Sequence, residues 1–229
     1  MVYFGSGFSL WIGVALTLYG DFLDNSGKAI YKWSHYFPFY EAHFNRYVNR
    51  PSVIFEIGVA NGGSLEMWRK YFGPFAQIVG IDIEPGCKRF EGDQISVRIG
   101  DQSDEKFLEQ LIDEFGKPDV VIDDGSHMMV DIARTFGYLY PRTAAGGVYF
   151  VEDLHTCYWS QYGGGVGKPE SFLEKCKGLI DELNARYTSG LILETEFSRT
   201  TVGMHFYDSC VVFERGSNIL KKALHSPRK

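Results

Sequence analysis

From Pro51 onward the chain alternates short apolar runs with longer segments of helical periodicity, and this alternation limits the folds open to it. "SVIFEIGV" (Ser52–Val59), "IVGIDI" (Ile78–Ile83), "ISVRIG" (Ile95–Gly100), "DVVIDD" (Asp119–Asp124) and "GVYFVED" (Gly147–Asp153) predict five strands. Their near-continuous apolar character suits parallel strands covered on both faces. Helices are expected between them over Ser64–Phe72, Asp104–Phe115 and Val130–Tyr140. In the second, Phe107, Leu108, Leu111, Ile112 and Phe115 recur at helix spacing behind a capping Asp104. This order predicts an α/β fold with a doubly wound, mostly parallel sheet. A further helix over Ser171–Tyr187 precedes "LILETEF" and "MHFYDSCVVFER". These read as two consecutive strands, an antiparallel pair at one edge of a seven-stranded sheet.

Residues 1–50 are expected to form a cap or lid on a domain of residues 51–229. The most distinctive piece is "YKWSHYFPFYEAHF", which sets Tyr36, Tyr40 and His43 near helical spacing. Earlier, "FSLWIGVALTLY" (Phe8–Tyr19) is nearly all apolar. It is short for a membrane span and has no basic flank, so packing or a homo-oligomer contact is expected of it, not stable membrane insertion.

Composition narrows the function. A chain of 229 residues, 45% hydrophobic, can bury one sizeable core. A net charge of −6 argues against a nucleic-acid partner, whose phosphates would repel it. Cys87, Cys157, Cys176 and Cys210 are scattered, with no C-x-x-C pair, as expected of a reduced cytoplasmic chain.

The strand tips carry the chemistry. "FEIGVANGGS" places Gly58, Gly62 and Gly63 after the first strand. Such a loop lets a ligand approach the backbone, or it is simply a tight turn. Its G-x-x-x-G-G spacing departs from the dinucleotide pattern and speaks against a nicotinamide cofactor. Asp82 ends the second strand, where a carboxylate can accept hydrogen bonds from ribose hydroxyls. "GDQSD" ends the third and offers Asp101, Gln102 or Ser103 to an adenine edge. Three successive tips of this kind point to an adenosyl ligand. "VIDDGSH" and "FVEDLH" close the fourth and fifth strands, so Asp124, Glu152 and Asp153 converge where one hard divalent cation could be shared. His127, three residues after Asp124, suits a general base. The same pair also reads as a helix cap followed by a packed histidine, and Asp123 as an ordinary strand-end acid.

With "FEIGVANGGSLEMW", "GIDIEP", "IGDQSD", "VIDDGSH", "GGVYFVEDLHTCYW" and "HFYDSCVVFE", most of Pro51–Glu214 resembles the class I S-adenosylmethionine-dependent methyltransferases. It especially resembles the metal-dependent sugar O-methyltransferases that act on macrolides and other glycosylated natural products. The resemblance implies that Ser64 holds the cofactor carboxylate and that Glu56 and Gly58, with Asn61 and Gly62 in the same loop, line the methionine end. It gives the ribose to Asp82, the adenine to Asp101 and Gln102, and a place beside the methionine to Asp123. It implies Mg²⁺ on Asp124, Glu152 and Asp153, with His127 as the base that deprotonates a sugar hydroxyl of a small-molecule or glycoside acceptor. Tyr36 or Tyr40 would help close the site. Apart from the resemblance, His155 reads as an aid to the metal site or as a residue that merely lines its loop, and "WSQYGGGVGKP" (Trp159–Pro169) as a mobile acceptor loop or a disordered connector. Some resembled macrolide enzymes carry a large additional N-terminal domain beside the acceptor; about 50 residues precede the first strand here, so the acceptor pocket transfers least. The rivals are methylation of a catechol or other diol, and a protein that holds S-adenosylmethionine without turning it over.

Overall fold

The structure, a computed structural model, describes residues 17–217 and 226. The apolar run before Thr17, and with it the expectation of packing, lies outside the described residues. Within them, Thr17 accepts a hydrogen bond from Gly20 N and caps a short helix, α1 (Leu18–Leu23). No helix among the described residues is long and apolar enough to cross a membrane.

Seven strands form one sheet: β1 (Ser52–Ile57), β2 (Ala76–Asp82), β3 (Ile95–Ile99), β4 (Val120–Asp123), β5 (Val148–Val151), β6 (Thr201–Tyr207) and β7 (Cys210–Arg215). Their order is β3-β2-β1-β4-β5-β7-β6. The first five pair in parallel, and β7 runs antiparallel between β5 and β6. The order reverses beside β1, the switch point at which such sheets open a crevice at their carboxyl edge.

The expected strand at "LILETEF" does not form. Leu191 and Leu193 are exposed, so the run has no apolar face to bury, and Thr195 and Ser198 build a reciprocal capping box that starts a helix instead. The antiparallel pair is a hairpin within "TVGMHFYDSCVVFER", turning at Asp208–Ser209. The parallel strands also stop short of the sequence estimate. Val59, Ile83, Gly100, Asp124, Glu152 and Asp153 fall in the loops beyond them.

Each face of the sheet buries its own core. On one, α2 (Phe37–Phe44) and α3 (Gly63–Phe72) meet the strands through Phe37, Tyr40, Phe44, Trp68, Phe72 and Phe150. On the other, α4 (Glu105–Phe115), α5 (Met129–Leu139) and α6 (Phe172–Leu183) contribute Leu108, Leu111, Phe136, Leu139 and Phe172. Asp104 caps α4 through a bond from Lys106 N. The N-terminal segment thus packs into the first core: the Tyr40 ring stands 5.1 Å from Trp68 and 5.0 Å from Phe150.

Candidate active site

The carboxyl ends of β1 to β5 open into one cavity of about 710 Å³. Tyr31, Lys32 and Trp33 of the N-terminal segment form its cover, and His155, Trp159 and Tyr162 flank the β5 end. Gly58 sets the distance between two of its walls. With φ at +92°, a Cβ there would lie 2.0 Å from the Asp124 carbonyl oxygen, so only glycine lets the β1 loop touch the β4 loop.

Asp82 lines the cavity from the tip of β2. Its Oδ2 accepts from Val59 N (2.8 Å) and Ala60 N (3.1 Å), and its Oδ1 from Glu84 N (2.9 Å). Burial works against its charge, but these three N–H groups prevail and hold its pKa below the ordinary carboxylate value. Ionised oxygens can accept more than one bond each, so Asp82 shapes the loop and still faces the cavity. Asp101 and Gln102 line it at the tip of β3. Asp101 Oδ1 accepts from Ser103 N and Ser103 Oγ. The Gln102 amide is tied into the frame: its nitrogen donates to Asp123 and Thr135, and its oxygen accepts from Ser126 N.

Other candidates stand one layer back. Glu56 is fully buried and accepts from Ser64 Oγ (2.9 Å) and Trp68 Nε1 (2.8 Å), which occupies the Ser64 hydroxyl as a donor. Burial raises the Glu56 carboxyl. Asp123, also buried, accepts from Tyr149 (2.8 Å) and Gln102 (3.2 Å), and burial pushes its pKa up to about 6. Gly62 lies against the Phe90 ring, and Asn61 is exposed to solvent. Of the expected cofactor residues, the structure brings Gly58, Asp82, Asp101 and Gln102 to the cavity wall, and Glu56, Asn61, Gly62, Ser64 and Asp123 are not on it.

At the β4 and β5 tips, His127 Nε2 stands 3.7 Å from Asp124 Oδ1 and 3.7 Å from Asp153 Oδ2. The ligand atoms of these three residues all fall within 4.8 Å of one another. His127 (φ +57°) and Asp153 (φ +55°) both hold left-handed backbone, which costs of order 1–3 kcal/mol each outside glycine and needs support from its surroundings. For Asp153 that support is Tyr36. This buried hydroxyl donates to Asp153 Oδ1 (2.8 Å) and accepts from Asp153 N (3.2 Å). The helix-cap reading of Asp124 fails here. Helix α5 begins at Met129 with no side-chain cap, and Asp124 faces the cavity. The polar links of the turn run instead through Ser126, which bonds Asp131 and Met128 N.

The residue that sequence reasoning passed over is Lys32. Its side chain is 2% exposed, and its ammonium lies 2.5 Å from Asp124 Oδ2, 2.9 and 3.1 Å from the two Glu152 oxygens and 3.6 Å from Glu56. Burial alone would lower its pKa, but Asp124, Glu152 and Glu56 prevail and raise it well above the ordinary lysine value. Burial and Asp124 push the Glu152 carboxyl up while Lys32 opposes them. The only signal in the sequence was one lysine among aromatics in "IYKWSHYF", which a solvated lysine would explain as well.

The donor chemistry suits a hard divalent cation. Asp124 Oδ1 and Asp153 Oδ2 face one point beside His127, and the cluster already attracts an ammonium from within the chain. One lysine stands among three acids there, Glu56, Asp124 and Glu152. Glu152 differs from the other two expected ligands in spending both oxygens on Lys32.

No protein-family model matches the chain. Among curated proteins, the chain is 34% identical over 204 residues to mycinamicin VI 2''-O-methyltransferase of Micromonospora griseorubida, covering 80% of this chain and 49% of that protein. It is 36% identical over 203 residues to demethylmacrocin O-methyltransferase of Streptomyces fradiae, covering 82% of this chain and 51% of that one. Among solved structures, the methyltransferase MycE from the mycinamycin biosynthetic pathway, in complex with Mg, SAH and mycinamycin VI, superposes with a TM-score of 0.78 at 31% identity. That match covers 89% of this chain and 54% of MycE. The chain spans about half the length of the curated relatives it matches. In sequence, over about half of their length, and in fold, this chain is similar to these O-methyltransferases, and its seven strands follow the class I methyltransferase order.

Proposed function

We propose that this chain is a Mg²⁺-dependent O-methyltransferase that moves a methyl group from S-adenosylmethionine to a sugar hydroxyl of a glycosylated small molecule. The observation that carries the reading is a single cavity lined by Gly58 and Asp82 and also by Asp124, His127 and Asp153, the last three held together. A relative from Streptomyces olivaceus, 35% identical over 78% of this chain and 50% of its own length, is by name an 8-demethyl-8-alpha-L-rhamnosyl tetracenomycin-C 2'-O-methyltransferase, and that supports the acceptor class.

When bound, S-adenosylmethionine supplies an electrophilic methyl and Mg²⁺ supplies a Lewis acid that makes a hydroxyl more acidic. Asp82 would hold the ribose through oxygens already fixed by backbone N–H groups, so binding needs no rearrangement of the acceptor atoms. Asp124 and Asp153 would hold the cation, with Glu152 adding charge beside them. His127 takes the hydroxyl proton at Nε2, the ring nitrogen that faces both carboxylates. Tyr36 keeps Asp153 in its left-handed pose, and Trp33, Trp159 and Tyr162 present aromatic surface to the acceptor.

The test is transfer of labelled methyl to a panel of glycosides and catechols, with Mg²⁺ and with excess chelator. Transfer to glycosides that stops in chelator and returns with Mg²⁺ is expected. Transfer only to catechols would replace the acceptor class. No release of S-adenosylhomocysteine with any acceptor, despite tight cofactor binding, would favour a binding protein.

A further inference from the structure

Away from the cavity, where β6 and β7 meet α2, two histidines and a glutamate face each other. His43, on α2, is buried, and its Nδ1 lies 3.0 Å from Glu214 Oε1 on β7. His205, on β6, points its Nε2 at the other oxygen, Glu214 Oε2, across 3.8 Å. The two imidazole rings are 4.7 Å apart. None of the three residues lines the active-site cavity.

Two features suggest more than a hydrogen-bonded pair. First, His205 Nε2 is shielded from solvent and has no hydrogen-bond partner, although a carboxylate oxygen lies just beyond bonding reach. Second, the sheet makes room for this arrangement. Gly203 pairs with Glu214 across the hairpin, and a Cβ at Gly203 would lie 3.0 Å from His205 Nε2. A side chain there would crowd the imidazole away from Glu214.

We propose that His43, His205 and Glu214 form a second divalent-cation site, selective for a borderline transition metal such as Zn²⁺. Zn–N and Zn–O bonds of about 2.0–2.1 Å put neighbouring tetrahedral ligands about 3.3–3.4 Å apart. Each imidazole nitrogen lies within about half an ångström of that distance from one carboxylate oxygen, His43 Nδ1 at 3.0 Å from Oε1 and His205 Nε2 at 3.8 Å from Oε2, and one ligand atom from each residue lies within 4.8 Å of the others. Two imidazoles and one carboxylate favour Zn²⁺, Co²⁺ or Ni²⁺ over Mg²⁺, which prefers oxygen. The outer contacts fit as well. The Tyr207 hydroxyl lies 3.0 Å from His43 Nε2, where it can accept that N–H while Nδ1 turns its lone pair to the metal. Arg46 is the opposing element: its guanidinium holds Glu214 Oε1 at 3.2 Å and lowers the affinity for a cation. Occupied, the site would tie α2 to the β6–β7 hairpin.

Co²⁺ titration of the whole chain tests this, with millimolar Mg²⁺ present to fill the carboxylate cluster of the active site. The expected result is visible d–d absorption that saturates near one equivalent and is displaced by Zn²⁺. It should persist in Asp124→Asn and disappear in His205→Ala and His205→Gln, whose side chain is 40% exposed and tolerates replacement. Zn²⁺ should also raise the melting temperature of the wild type and leave that of His205→Ala where it was. Absorption that is absent from the wild type, unchanged in folded His205→Ala, or lost in Asp124→Asn would overturn the proposal. None of these readouts depends on methyl transfer, so the second site and the proposed activity stand or fall separately.

Discussion

Lys32 and Asp124, 92 residues apart in sequence, meet at 2.5 Å, and the same ammonium grips both oxygens of Glu152. Lys32→Met removes the only positive side chain within ion-pair distance, among the described residues, of the buried Glu56 and Glu152. Breaking one partner out of a buried pair costs roughly 3–5 kcal/mol. We expect chemical unfolding to show a loss of that order without Mg²⁺. Calorimetry should show tighter Mg²⁺ binding than in the wild type, because the cation no longer competes with an ammonium. A variant as stable as the wild type, with unchanged Mg²⁺ affinity, would mean that Lys32 is idle.

His127→Ala separates proton transfer from cation binding. Its Nε2 lies 3.7 Å from an oxygen of Asp124 and 3.7 Å from one of Asp153. Labelled methyl transfer should fall by at least two orders of magnitude, the usual scale for a general base. Mg²⁺ and S-adenosylmethionine affinities, measured by calorimetry, should change by no more than a few fold. Full transfer by the variant would return the chemistry to another residue.

Asp82→Ala should damage two properties at once. The carboxylate accepts three backbone N–H groups as well as facing the cavity, and bonds to a charged acceptor contribute about 1.5–3 kcal/mol each. S-adenosylmethionine binding and melting temperature should both drop. Weaker binding with an unaltered melting temperature would show that the loop holds without Asp82.

Asp123 gives a pH signature. Its folded pKa of about 6 lies above the ordinary aspartate value, so the folded state takes up the proton first. Its contribution to stability therefore improves as pH falls through 6 and is lost again as pH rises. Between pH 7 and pH 5 that gain is about 1 kcal/mol by linkage. Subtracting the urea-unfolding free energies of Asp123→Asn from those of the wild type should isolate it. A difference that does not vary with pH would contradict the raised pKa.

The parallel sheet was legible in the sequence because each strand is an apolar run with covers on both sides, as "SVIFEI" and "DVVID" illustrate. The meeting of Asp124, His127 and Asp153 was legible for the same reason, since strand tips share one edge. Two kinds of feature were not. "LILETEF" carries strand-like residues, but nothing in its local pattern tells that its leucines find no face to cover. Lys32 is charged, and local sequence assigns a charge to solvent; three acids, one on β1 and two from the loops after β4 and β5, override that only once the chain has folded. Gln102 illustrates a related limit. Its position at a strand tip could be read, but not that its amide would be tied to Asp123, Thr135 and Ser126.

The Lys32 contact also bears on modularity. A sheet of this kind invites dissection at Pro51, with the core kept and the preceding residues exchanged to alter what the cavity accepts. Here such a graft would carry away the counter-charge of Glu56 and Glu152, together with the Tyr36 hydroxyl that props Asp153. Any replacement segment would have to bring its own buried cation and its own phenol to the same two places. The cover of the cavity and its buried counter-charge thus come from one short stretch, and a graft that keeps Lys32 and Tyr36 would retain both the cation and the phenol.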